Sequence, residues 1–230
     1  MLPVAILAGG LATRLRPATD SIPKALIPIN EEPFVAHQLR LLSRSGIRRV
    51  VLCVGYLGEQ IENYVGDGTR FGMQVSYSVD GPRLLGTAGA IRNALPLLGE
   101  QFFVLYGDSY LPCDYAAIGQ SFRASDKLGL MTIFRNDGRW DRSNVELSHG
   151  RIVKYDKADQ TSAMRHIDYG LAALSSVVFD KVTGERSYDL SSVYGDLVNR
   201  GQLAAYEVDQ RFYEVGSLDG IRELSEYLRS

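Results

Sequence analysis

Residues 3–10 read Pro-Val-Ala-Ile-Leu-Ala-Gly-Gly, a continuous apolar run that stops on two glycines. Six residues without polar alternation predict a strand buried on both faces, the signature of a parallel sheet covered by helices. Glycines directly after such a strand let the backbone turn tightly and approach a ligand with its N–H groups. The next stretch is LATRLRPATD (11–20), and Lys24 follows ten residues after Arg14.

Working outward, the same beat repeats. Phe34, Val35, Leu39, Leu41 and Leu42 predict a helix over 34–45 that stops at Gly46, a natural C-cap. RRVVLCVGY (48–56) and MQVSYSV (73–79) read as strands on either side of a polar helix near 58–65. A helix over 87–98 then leads to QFFVLYGD (101–108) and LGLMTIF (128–134), two further strands. Strands alternating with helices predict a Rossmann-like, three-layer αβα arrangement around a mostly parallel mixed sheet.

The texture changes after about residue 140. NVELSHGRIVKYDK (144–157) reads as a hairpin turning at His149-Gly150. HIDYGLAALSSVVF (166–179) is apolar and partly β-branched, QLAAYEVDQRFYEVG (202–216) holds two strands, and 218–228 fits a closing amphipathic helix. With no repeat and no Pro/Gly/Ser linker, one domain over 1–230 is expected. It is expected to divide into a nucleotide half (1–135) and a substrate half (136–230) that extends the same sheet, with no C-terminal β-helix.

Composition excludes several classes. The 230 residues carry 25 Lys+Arg against 27 Asp+Glu, so the net charge is −2 and there is no basic excess for nucleic acid. Hydrophobic residues make up 45% of the chain, which excludes disorder. No stretch approaches a membrane span. The start MLPVAILAGG lacks the positive region of a signal peptide. Cys53 and Cys113 form neither a disulfide framework nor a zinc motif, so a cytoplasmic protein is expected.

Two readings of the first loop stand side by side. Gly9 and Gly10 with Arg14 and Lys24 suit a polyphosphate: backbone N–H groups, a guanidinium fork and a mobile ammonium. The same residues also suit a tight strand-to-helix turn beside two solvated cations. Neither the dinucleotide fingerprint nor the P-loop pattern is present.

The loop does not stand alone. LAGGLATRLRPAT followed by IPKALIPIN, then PFVAHQLRLLSRSGIRRVVLCVGY, LLGTAGAIRNAL, VLYGDSYL and YEVGS, resembles in order the motifs of the sugar-1-phosphate nucleotidyltransferases. Ala12 stands where that family usually has its third glycine. The resemblance implies a GT-A-like nucleotidyltransferase fold, with a nucleoside triphosphate and a sugar 1-phosphate as substrates and Mg²⁺ as cofactor. It implies that Arg14, Lys24 and Asp108 are catalytic and that Leu7, Gly9, Gly10, Thr13, Asp80, Gly86, Thr87 and Gly89 bind the nucleotide. Asp108 and Glu214 would hold the metal, with Glu214 where the family usually has an aspartate; a glutamate also ligates Mg²⁺. Asp156, Lys157, Asp168 and Gly170 would bind the sugar phosphate. A homo-oligomer is a further family expectation.

The chemistry suits these residue types. A sugar phosphate is already ionised at pH 7, so its attack on the α-phosphorus needs positioning and charge neutralisation rather than a nucleophile or a base. That agrees with three histidines, His37, His149 and His166, that show no triad or metal-ligand grouping. The short form is similar to the heptose-1-phosphate guanylyltransferases, and also to uridylyl- and thymidylyltransferases of other sugar 1-phosphates. A cytidylyltransferase of a non-sugar phosphate and a catalytically silent nucleotide-sugar sensor are the remaining alternatives. Asp80 and Arg83 sit where relatives read the base, and Trp140 suits either a sugar face or hairpin packing.

Overall fold

The opening apolar run forms β1 (Val4–Leu7), an interior strand of a sheet that is nine-stranded among the described residues. A computed structural model describes residues 1–10, 21–81, 85–182 and 187–230. A short hairpin, β2 (Pro28–Ile29) and β3 (Glu32–Pro33), precedes α1 (Phe34–Arg44), β4 (Arg49–Val54), α2 (Gly58–Val65) and β5 (Gln74–Val79). Then come α3 (Gly86–Leu98), β6 (Gln101–Tyr106), β7 (Ser109–Tyr110), α4 (Tyr115–Ala124) and β8 (Gly129–Arg135). The second half adds β9 (Val145–Ser148), β10 (Arg151–Tyr155), β11 (His166–Ser175), α5 (Leu190–Asn199), β12 (Leu203–Val208), β13 (Tyr213–Glu214) and α6 (Leu218–Tyr227).

The main sheet runs β5-β4-β1-β6-β11-β8-β12, and the β9–β10 hairpin joins beside the start of β11. β5, β4, β1 and β6 are parallel, β11 is antiparallel to both neighbours, and β12 is parallel to β8. The sheet is therefore mixed and mostly parallel, as the sequence predicts, and its second half does extend the first.

β1 shows why the layers number three. Val4 and Ile6 point to one face and pack with Val35 and Leu39 of α1, Ile61 of α2 and Ile118 of α4. Ala5 points to the other face, into a cluster with Ile91 and Ala94 of α3 and Val193 and Leu197 of α5. Both faces of the strand are dry, which is what an unbroken apolar run requires. Beneath α6, Ile27, Ile29, Phe34, Tyr110, Val215 and Leu224 form a smaller core.

His149 and Gly150 both have positive φ (50° and 73°), as a tight hairpin turn demands. The sequence reading lacks α4 and α5. Each begins at an aspartate N-cap: Asp114 accepts from the Ala116 and Ala117 N–H groups, and Asp189 from that of Ser191.

Candidate active site

The carboxyl ends of β1, β4, β5 and β6 face one edge of the sheet, where open α/β folds bind ligands. There Leu7–Gly10, Cys53, Asp80, the first turns of α3 (Gly86, Thr87, Ala90), Tyr106–Asp108 and Lys24 line a cleft of about 270 Å³. The cleft thus gathers Leu7, Gly9, Gly10, Lys24, Asp80, Gly86, Thr87 and Asp108 of the sequence-derived set. Gly89 lies one turn along α3, buried behind the lining, where a Cβ would meet Leu85. Thr13 and Arg14, with Ala12 and Arg83, lie outside the described residues.

Gly107 sets the position of Asp108. Its N–H donates to the Leu7 carbonyl at 3.1 Å, and a Cβ there would lie 2.2 Å from the same oxygen. Only glycine lets the end of β6 close onto the end of β1 this tightly. Asp108 then accepts a hydrogen bond on Oδ2 from Lys24 Nζ at 2.9 Å, both side chains being mostly shielded. The Asp108 carbonyl accepts from the Val215 N–H at 2.9 Å, and β13 pairs antiparallel with β7 so that Glu214 sits opposite Ser109. The two carboxylates expected to share a metal, distant in sequence, therefore come from adjoining backbones, with the Glu214 side chain exposed.

Asp80 closes the far end of the cleft. Its N–H donates to the Val54 carbonyl at 2.8 Å, and the Leu85 N–H bonds its carboxyl group. Oδ1 is buried with no hydrogen-bond partner among the described residues. Burial pushes this carboxyl above the ordinary aspartate range, against the lowering effect of the Leu85 bond. An orphaned buried acceptor costs about 1–3 kcal/mol, and a ligand donor would remove that cost. Cys53 lies beneath, its thiol pushed up to about 12 by burial and by the Asp80 charge, so it is unreactive.

The sugar-side residues are shaped by a bulge. The register of β11 against β8 shifts between Asp168 and Ala172, where Gly170 has φ +101°. Such an irregularity re-aims a side chain. Here Asp168 turns inward, its side chain 6% exposed, with Oδ2 3.2 Å from the Tyr155 hydroxyl and 4.0 Å from Lys157 Nζ. Oδ1 accepts from the Gly170 N–H, and the Asp168 N–H donates to Asn144 Oδ1. Burial raises the Asp168 carboxyl, opposed by the Lys157 charge and these hydrogen bonds. Lys157 and Asp168 thus meet. Asp156 faces its own turn, accepting from the Ala158 and Asp159 N–H groups, which hold its carboxyl below the ordinary range.

Trp140 takes neither of its two expected roles in full. It is 46% exposed and stacks under the Arg211 guanidinium, 3.5 Å from the ring centroid, while Arg211 also pairs with Glu223 of α6. Sequence reasoning missed Tyr106, Gly107 and Cys53 in the cleft, and Tyr155 and Asn144 around Asp168. Tyr106 carried a usable signal, standing two residues before Asp108 at the end of a buried strand.

Among the described residues no group of three or more His, Cys, Asp or Glu side chains is placed to hold a metal alone. Two carboxylates plus substrate oxygens are the usual Mg²⁺ arrangement, and the oxygen-only pair of Asp108 and Glu214 fits it. No helix among the described residues is long and apolar enough to cross a membrane.

A mostly parallel mixed sheet here carries a glycine-lined cleft, with a lysine and carboxylates in its wall, at the carboxyl edge of its parallel strands. Residues 4–229 match the nucleotidyl transferase family model, and the chain belongs to that family. It is 30% identical over 226 residues to a UTP–glucose-1-phosphate uridylyltransferase of Synechocystis, covering 90% of this chain and 58% of the relative. It is 28% identical to a mannose-1-phosphate guanyltransferase beta-B of Xenopus laevis, covering 98% of this chain and 64% of the relative. The chain thus spans about three fifths of those longer relatives. The D-glycero-α-D-manno-heptose 1-phosphate guanylyltransferase of Campylobacter jejuni is 28% identical over 92% of this chain and 93% of its own. Among solved structures, HddC from Yersinia pseudotuberculosis complexed with GMP-PN superposes with a TM-score of 0.82 at 24% identity, covering 99% of this chain and 100% of the other. A candidate glucose-1-phosphate thymidylyltransferase from Bacillus anthracis gives 0.88 at 19% identity, covering 100% and 96%. These two likenesses carry the fold.

Proposed function

We propose that this protein transfers a nucleotidyl group from a nucleoside triphosphate to a sugar 1-phosphate, releasing pyrophosphate. The observation that carries the reading is the Lys24–Asp108 pair in the wall of a glycine-lined cleft that Asp80 and Tyr106 also line, with Lys157 over the Tyr106 ring. An oxygen of the sugar phosphate attacks the α-phosphorus, and the bond from that phosphorus to the bridging oxygen breaks. Pyrophosphate leaves with the electron pair, so no base is required. Lys24 and the backbone around Gly9 and Gly10 hold the phosphates, together with Arg14. Lys157 meets the phosphate of the sugar, and Asp168 and Gly170 line the sugar itself. Asp108 and Glu214 would hold Mg²⁺, which when bound neutralises phosphate charge.

The preferred nucleotide is GTP, and the preferred acceptor is D-glycero-D-manno-heptose 1-phosphate. Guanine presents an N1–H and an exocyclic amine side by side, a donor pair that a carboxylate such as Asp80 accepts in a bidentate manner. Uracil and thymine present one N–H between two carbonyls, which an aspartate oxygen repels. The full-length match to the Campylobacter heptose enzyme supports the same choice. The 30% identity to a uridylyltransferase favours uridylyl transfer to a hexose 1-phosphate as the second reading. The test is the reverse reaction: with pyrophosphate and Mg²⁺, a GDP-manno sugar should yield GTP. A UDP-sugar reacting while GDP-sugars do not would transfer support to the second reading.

A further inference from the structure

We propose that Tyr106 is a positioning residue for Lys157, its ring face and the buried Asp168 carboxylate together fixing the ammonium where the nucleotide cleft meets the sugar half. The proposal rests on the reading above that Lys157 meets the phosphate of the incoming sugar phosphate.

Tyr106 closes β6, level with Leu7 of β1, and its side chain lines the cleft. Lys157 reaches it from the turn after β10. Its Nζ lies 5.0 Å from the Tyr106 ring centroid, 6.0 Å from that of Tyr155 and 4.0 Å from Asp168 Oδ2. The lysine side chain is half exposed, and on a four-carbon stem its charge would otherwise spread over a wide volume. An aromatic face attracts a cation along the ring normal, whereas a carboxylate attracts it with little preference of direction. The two restraints converge on one position, and it borders the cleft because Tyr106 itself forms the wall. Burial holds the Tyr106 hydroxyl well above its ordinary range, so the ring stays neutral at working pH. Nothing in the sequence marks this contact: residue 106 ends β6 in the first half and residue 157 follows β10 in the second.

The test uses the full chain as wild type, Tyr106→Phe, Tyr106→Leu, Lys157→Met and the Leu/Met double variant. KM for the sugar 1-phosphate, KM for the nucleotide and kcat are read from pyrophosphate release. Tyr106→Phe keeps the ring face and should stay within about twofold of wild type. Tyr106→Leu should raise the sugar-phosphate KM about threefold to tenfold, the range of a partly shielded cation–π contact, and by clearly more than the nucleotide KM, which also reads the cleft wall. In the Lys157→Met background the Leu substitution should add nothing. A Phe variant as impaired as Leu, an equal rise in nucleotide KM, or multiplying effects would overturn the part given to Tyr106 alone. An unchanged sugar-phosphate KM in Lys157→Met would overturn the role of Lys157 and the proposal with it.

A second readout is independent of turnover. In protein carrying 13Cε-labelled lysine, the Lys157 methylene should resonate upfield through the Tyr106 ring current, a shift that persists in Phe and shrinks in Leu to the smaller contribution of Tyr155. An unshifted resonance in wild type would overturn the proposal whatever the enzyme's substrate. If Tyr106→Leu melts below the assay temperature, Tyr106→Met replaces it.

Discussion

Lys24 Nζ and Asp108 Oδ2 lie 2.9 Å apart, joining residues 84 positions apart at the mouth of the cleft. Each group answers a need of the other: a shielded carboxylate requires a counter-charge, and an ammonium aimed at phosphates requires an anchor. The C-terminal segment lies close as well, since a Cβ on Gly216 would come within 3.7 Å of Nζ. On the function proposed above, a triphosphate and a cation would separate the pair, drawing Lys24 to the phosphates and Asp108 to the metal.

Asp108→Asn removes the charge and keeps the shape. Turnover should fall at least about 100-fold, the scale for losing one preorganised electrostatic group. GTP affinity by calorimetry should stay within about tenfold. Undiminished pyrophosphate release would remove Asp108 from the reacting centre.

Asp80→Asn should separate selectivity from stability. Wild type should prefer GTP to ITP, which lacks the exocyclic amine, and the variant should lose about tenfold of that ratio in kcat/KM, the value of one charged hydrogen bond. Because burial raises the Asp80 carboxyl, the folded state binds its proton more tightly than the unfolded state. Stability contributed at this site therefore falls as pH rises from about 3.8 through the raised value. The variant should melt higher than wild type at pH 7, with the gain shrinking towards pH 3.8. Melting curves that keep one offset at every pH would contradict this.

Much of the above was legible in the sequence, and the gaps have physical reasons. Short apolar runs such as Val4–Leu7 and Phe102–Leu105 mark strands of a doubly covered sheet because they bury both faces and are too short for a buried helix. The resemblance to the nucleotidyltransferase motifs assigned Lys24, Asp80 and Asp108 to one site, and the three do line one cleft. The helices α4 and α5 escaped because alanine, serine and glycine dilute their apolar stripes, although Asp114 and Asp189 announced their starts. Tyr155, Asn144 and the contact of Tyr106 with Lys157 escaped because they depend on contacts between segments distant in sequence, which period and spacing do not encode. The inward turn of Asp168 needed the bulge at Gly170, a feature of pairing register rather than of residue type.

Gly107→Ala tests the close approach of β6 to β1. With its Cβ 2.2 Å from the Leu7 carbonyl, the backbone must shift. Denaturant unfolding should show a loss of about 1–3 kcal/mol, the usual scale of forced overpacking. Turnover of the folded fraction should fall as well, because Asp108 is displaced. Unchanged stability together with unchanged turnover would show that the site tolerates a wider gap between the two strands.

The most direct measurement is pyrophosphate release with Mg²⁺ across GTP, UTP, dTTP, CTP and ATP, each paired with mannose, glucose and manno-heptose 1-phosphates. The account requires release with GTP and a manno-configured acceptor, strongest with the heptose. Release confined to UTP or dTTP would contradict the guanylyl assignment, and a grid silent in every cell from folded, nucleotide-binding protein would contradict sugar-1-phosphate nucleotidyl transfer itself.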